Sequence, residues 1–139
     1  MKPRILFLCV HNSARSQLAE ALLCHMAGDT IEVASAGSEP SRVNPFAVRV
    51  LKDRGIDASH LYAKDVELFL DQPFDYVITL CDDEVCPLFP GAATRLHWSI
   101  PDPSAVQGDS EAKLDAFRRT ADVIQERLQE FVPTVPALA

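Results

Sequence analysis

Apolar positions follow two rhythms along this chain. Residues 5–10, "ILFLCV", form an unbroken apolar run, as expected of a strand covered on both faces. From 16 to 27 the spacing turns helical, with Leu18, Leu22 and Met26 on one stripe, Ala19 and Leu23 beside it, and Gly28 and Asp29 as the stop. A second strand is predicted over 31–37. The segment "SRVNPFAVRVLKDRGI" predicts a helix with Asn44 as N-cap, Pro45 in the first turn and Gly55 past the end. A short helix is expected from about Lys64 through Leu68 and Leu70. Residues 74–81, "FDYVITLC", predict a third buried strand, and the more alternating 94–100, "TRLHWSI", a fourth. A long helix is predicted over 110–131, with Leu114, Phe117, Ala121, Ile124 and Leu128 turned inward. The tail, 132–139, is expected to fray.

Strands alternating with helices over 139 residues imply one α/β domain, 1–139, built on a doubly wound, four-stranded parallel sheet in three layers. Such sheets bind ligands beyond the carboxyl ends of their strands. Cys9, Cys81 and the stretch after Ile100 all fall at predicted carboxyl ends, so three distant parts of the sequence converge on one rim.

The join between the first strand and first helix, "CVHNSARS", carries the most chemistry. A loop feeding a helix N-terminus offers free backbone N–H groups and a partial positive charge, which together bind an oxyanion. The same field favours a thiolate over a thiol at Cys9. Arg15 adds a planar fork able to hold two oxygens, Ser16 can donate to the sulfur, and Asn12 and Ser13 can brace the loop. The C-x5-R-S pattern therefore reads as a nucleophile inside an anion cradle of Val10, His11, Asn12, Ser13, Ala14 and Arg15. The blander alternative is a buried strand-end cysteine and a surface arginine.

Two further elements join it. Asp102, between two prolines in "SIPDPS", is a carboxyl on a rigid loop and can protonate a leaving oxygen, although Asp-Pro is also common in ordinary turns. In "TLCDDEVCPLFPG", Cys81 and Cys86 are five positions apart; if they pair, the segment cannot be regular helix, where they would be rotated by about 140°. The acids Asp82, Asp83 and Glu84 and the following Pro87, Pro90 and Gly91 suit an exposed loop. The alternatives are one core and one loop cysteine, or a zinc site with His97. Cys24 reads as structural, and Trp98 as packed on the sheet.

Charge narrows the class. Twenty acidic against thirteen basic residues give a net charge of −7 and a pI near 4.9, which argues against a nucleic-acid or anionic-membrane surface. The chain holds no apolar run near the roughly 20 residues of a membrane span, and its start reads as a strand rather than a signal peptide, so a cytoplasmic location is expected.

The stretches "CVHNSARSQLAEALL", "SAGSEP", "FDYVITLCDDEVCPLFPG" and "LHWSIPDP" resemble the arsenate reductases that share the low-molecular-weight tyrosine phosphatase fold, over residues 3 to about 131. The resemblance implies that Cys9 attacks arsenate held by Arg15, that Asp102 protonates the departing oxygen, and that Cys81 and then Cys86 take up the oxidation as a Cys81–Cys86 disulfide. It implies thioredoxin as the reductant, with glutaredoxin or a small thiol as alternatives, and no organic cofactor. It also suggests a potassium ion near Asn12, Glu20, Ser35 and Asp65. Four residues separate Cys81 from Cys86 here, where six are common in the family. Two other readings use the same residues: a phosphatase with Cys9, Arg15 and Asp102 alone, and a non-enzymatic thiol or As(III) sensor.

Overall fold

The computed structural model describes residues 2–82, 85–91 and 93–136. Strands β1 (Arg4–Cys9), β2 (Glu32–Gly37), β3 (Tyr76–Thr79) and β4 (Thr94–His97) form one sheet in the order β2-β1-β3-β4, with every neighbouring pair parallel. Helices α1 (Arg15–Ala27), α2 (Pro45–Asp53) and α3 (Ser110–Phe131) complete the frame. The strand order reverses between β1 and β3, so the crevice that such sheets offer to ligands opens beside Cys9.

The unbroken apolar run of β1 follows from burial on both sides. Successive strand residues point to opposite faces. Ile5 and Phe7 join Leu18, Leu51, Phe117 and Ile124 in the larger core, to which all three α-helices contribute. Leu6 and Leu8 join Val77, Phe74 and Phe89 on the other face. That second cover is a 3-10 turn (Val66–Phe69) and irregular chain rather than an α-helix, so the three layers are unequal in thickness.

Several elements end sooner than their hydrophobicity predicts. β3 stops at Thr79, and Phe74 serves the second core instead of the ladder. β4 stops at His97; the Trp98 amide still donates to the Thr79 carbonyl (2.9 Å), and its ring packs against Phe7 and Phe131. The helix expected from Lys64 shrinks to the 3-10 turn, and Leu68 and Leu70 are exposed. Met26 is also exposed rather than part of the α1 stripe, because α1 is buried through its first turns and not its last. Cys24, on that same last turn, is a free exposed thiol and not a packed structural residue. The tail docks where fraying was expected: Val132–Thr134 form a 3-10 turn and Val135 is buried. Residues 137–139 of that tail lie outside the described residues.

The three helix starts differ in a way that matters for the rim. Asn44 caps α2 by accepting from the Phe46 amide, with Pro45 in the first turn, and Asp109 caps α3 by accepting from the Ala112 amide. At α1 the cap position is Ala14, whose side chain makes no capping hydrogen bond. A helix start left uncapped by its own sequence keeps its donors for something else.

Candidate active site

Cys9 ends β1, and the loop from Val10 to Ala14 turns the chain into α1. The carbonyls of Val10, His11 and Ser13 accept from the amides of Glu39, Ser41 and Asn44. In a trans peptide the carbonyl and the following N–H point in opposite directions. Tying these carbonyls to segment 39–44 therefore turns the amides of His11, Asn12 and Ala14 the other way, as an anion cradle requires. Asn12 adopts a positive φ of 48°, which asparagine tolerates better than most residues.

Asn12 is also the hub behind the cradle, fully buried. Its Nδ2 donates to Ser16 Oγ (2.7 Å) and to Ser35 Oγ (2.9 Å). Its Oδ1 accepts from the Lys64 amide (2.8 Å) and from Gln17 Nε2 (2.9 Å), which fixes the orientation of the side-chain amide. Ser16 Oγ lies 2.8 Å from the Cys9 sulfur. With Asn12 donating into that oxygen, the Ser16 proton is directed to sulfur.

Gly37, at the end of β2, sets how closely this hub can be assembled. A Cβ there would collide with the Val10 carbonyl oxygen and come within 2.9 Å of the Asn12 nitrogen. Only glycine lets β2 approach the cradle so closely.

Arg15 is buried, and its Nη1 donates to the Ile100 (2.9 Å) and Leu80 (3.3 Å) carbonyls, locking the guanidinium across the rim. Its Nη2 lies 4.0 Å from Asp102 Oδ2. Asp102 Oδ1 accepts from the Ser104 amide (2.9 Å) and hydroxyl (2.7 Å), so the carboxyl is held with its second oxygen toward Arg15.

Together Cys9, His11, Ser13, Ala14, Arg15 and Asp102 line a cavity of about 190 Å³, with Ser41, Asn44 and Ser104 as a further polar wall. A small oxyanion fits within that volume. A cavity of about 370 Å³ at the opposite end of the sheet, bordered by Pro3, Tyr76, Thr94 and Val135, has no cysteine in its lining.

Cys81 and Cys86 form a disulfide, with Cα atoms 5.6 Å apart, while Cys9 is a free thiol. The described residues of the segment are irregular and not helical, as pairing at that spacing demands. Cys9, Val10 and Cys81 form one buried cluster with Cys86 packed against it. Val10 thus faces the cysteines rather than lining the cavity. The disulfide leaves no thiolates for a zinc site with His97, whose Nδ1 pairs with Thr79 Oγ1. Asp82 accepts from Ser99 Oγ; Asp83 and Glu84, read as part of an acidic loop, lie outside the described residues.

The four residues suggested for potassium do not present a cation cage. Asn12 turns its nitrogen, not its oxygen, toward Ser35. Glu20 Oε1 accepts from Ser35 Oγ (2.6 Å) and lies 3.4 Å from the Lys64 ammonium. Asp65 Oδ1 accepts from the Glu67 amide at the start of the 3-10 turn. Lys64 and Gln17 escaped the sequence reading because nothing in their local pattern marks a buried role; only the fold brings them to Asn12.

A buried cysteine at an uncapped helix start, with an arginine locked across a small polar cavity, defines a cysteine-nucleophile oxyanion site on a doubly wound sheet. Residues 4–138 match the family described as low molecular weight phosphotyrosine protein phosphatase, and the chain belongs to that family. Within it, the similarity runs to arsenate reductases. The arsenate reductase of Halalkalibacterium halodurans is 42% identical over 135 residues, 96% of this chain and 97% of that protein. A structure described as an arsenate reductase in the phosphate-binding state superposes with a TM-score of 0.82 at 30% identity, covering 97% of this chain and 99% of that one. The thioredoxin-dependent arsenate reductase Cg_ArsC1' of Corynebacterium glutamicum superposes with a TM-score of 0.77 at 32% identity. That match covers 99% of this chain but 64% of that longer protein.

Proposed function

We propose that this chain is an arsenate reductase that passes two electrons from Cys81 and Cys86, by way of Cys9, to arsenate. The observation that carries the proposal is the disulfide Cys81–Cys86 packed against a free Cys9 at the foot of the oxyanion cradle. A phosphatase has no use for that pair.

Arsenate sits on the cradle amides with Arg15 across its oxygens. The Cys9 thiolate attacks arsenic, Asp102 gives a proton to the departing oxygen, and water leaves a Cys9–arsenic(V) adduct. The Cys81 thiolate attacks the Cys9 sulfur. The sulfur–arsenic bond breaks with its electron pair going to arsenic, and arsenite departs from a Cys9–Cys81 disulfide. The Cys86 thiolate then attacks Cys81, returning Cys9 to its thiolate form. The disulfide in the structure corresponds to the end of this sequence.

Thioredoxin, a dithiol, closes the cycle by exchange with Cys81–Cys86; Cys86 is the sulfur nearer the exposed segment of Val85 and Leu88. The likeness to the thioredoxin-dependent protein supports this choice over glutaredoxin or a small thiol. No helix among the described residues is long and apolar enough to cross a membrane, and a reducing cytoplasm suits a relay that must begin with three thiols. No step runs through potassium.

The test is NADPH-coupled arsenate turnover with thioredoxin and thioredoxin reductase, on wild type and on Cys9→Ser, Cys81→Ser and Cys86→Ser. All three variants should fail. Full activity in Cys86→Ser would remove the relay; turnover of p-nitrophenyl phosphate without arsenate reduction would favour a phosphatase. Replacing thioredoxin by glutaredoxin or by a small thiol alone should slow turnover.

A further inference from the structure

Lysine is almost never buried unless paired, and Lys64 is buried without touching the oxyanion cavity. Its ammonium lies 3.4 Å from Glu20 Oε1, donates to the Tyr62 carbonyl (2.9 Å), and stands 4.6 Å over the centre of the Tyr62 ring. The Glu20 and Lys64 side chains are only 14% and 7% exposed, so water screens the pair weakly.

From Glu20 a continuous chain of hydrogen bonds leads to the nucleophile. As a carboxylate, Glu20 can only accept, so Ser35 must donate to it. The Ser35 oxygen then accepts from the Asn12 amide, whose second hydrogen goes to Ser16, whose hydroxyl proton is left for Cys9 sulfur. One charge at the far end sets the direction of every bond. Lys64 also grips the hub through its backbone: its N–H donates to Asn12 Oδ1, and its carbonyl accepts from Gly37.

We propose that the Lys64 ammonium is a built-in cation: it occupies the position beside Glu20 that a monovalent metal ion would otherwise take, acts as a positioning residue for Cys9, and makes this chain independent of potassium. The inference rests on the reading of Cys9 as the arsenate nucleophile. The disagreement with a potassium site is the source of it: of the four suggested ligands Glu20 faces an ammonium, Ser35 is spent between Glu20 and Asn12, Asn12 turns its nitrogen to Ser35, and Asp65 caps the 3-10 turn. A tethered charge cannot dissociate, so the cradle does not depend on the ionic composition around it.

The test compares wild type, Lys64→Ala and Lys64→Gln in KCl and in choline chloride of equal ionic strength. Three readouts are taken: the thermal midpoint without substrate, the rate of Cys9 alkylation by iodoacetamide followed by peptide mass spectrometry, and kcat and KM for arsenate. Wild type should behave alike in both salts. Lys64→Ala in choline should lose about ten-fold in alkylation rate and in kcat, the worth of one hydrogen bond, with a smaller change in KM. KCl should restore part of both and raise the thermal midpoint of that variant. Lys64→Gln, which fills the space with a neutral group, should lose activity without potassium rescue. A midpoint of wild type that rises in KCl over choline would overturn the proposal. So would a Lys64→Ala protein that keeps wild-type alkylation in choline, or one that loses it with no response to KCl. Because midpoint and alkylation do not require arsenate turnover, they read the role of Lys64 even if wild type proves not to reduce arsenate.

Discussion

The cradle and the cysteine loop sit side by side on one rim but are built by opposite means. In the cradle, Asn12, Arg15, Ser16 and Gln17 are buried polar residues, each held by hydrogen bonds from two or more parts of the chain. In the loop, Val85 and Leu88 are 91% and 92% exposed, and the backbone adopts no regular structure in its described residues. The difference matches the tasks. Binding and attacking an oxyanion requires donors fixed before the ligand arrives. Carrying a disulfide to a protein reductant requires a segment that can change its pairing and be reached from outside.

This contrast can be broken at several points, and the largest effect is expected at the nucleophile. Cys9→Ser should lower arsenate turnover on the order of 10³-fold or more, while leaving unfolding by denaturant nearly unchanged. Next comes the proton donor: Asp102→Asn should lower kcat by roughly 10²-fold with a small change in oxyanion affinity, measured by phosphate binding. A large loss of phosphate affinity would instead make Asp102 a brace for Arg15.

Gly37→Ala tests the rigidity of the cradle itself. The added methyl meets the Val10 carbonyl and Asn12 nitrogen, so stability should fall by about 1–3 kcal/mol in denaturant titration, and phosphate affinity with it. The smallest effect belongs to the loop. Leu88→Ser should change stability by no more than about 0.5 kcal/mol and leave single-turnover arsenite release untouched. If Leu88→Ser instead weakens oxyanion binding, the two regions are not independent.

The same contrast explains what could be read from the chain. The cradle is local: seven consecutive residues from Cys9 to Arg15, a strand before them and a helix after, so the thiol, the arginine and the loop were legible together. The Asn44 cap and the inward face of α3 follow equally local rules. What escaped depends on contacts between distant segments. Lys64 reaches Asn12 across 52 positions and Gln17 reaches the Tyr62 carbonyl across 45. Ser41 and Ser104 join the cavity wall only because segments 39–44 and 102–104 fold onto the rim. Strand ends were overread for a related reason: an apolar residue such as Phe74 extends the pattern of a strand while serving the core from outside the ladder.

The central claim is that oxidation leaves Cys9 for Cys81 before it reaches Cys86. Intact-mass and peptide analysis of fully reduced Cys86→Ser after a single turnover with arsenate and no thioredoxin tests it most directly. The account predicts one arsenite released per protein and a Cys9–Cys81 disulfide that persists. Arsenate recovered unreduced, with Cys9 and Cys81 both remaining free thiols, would contradict it.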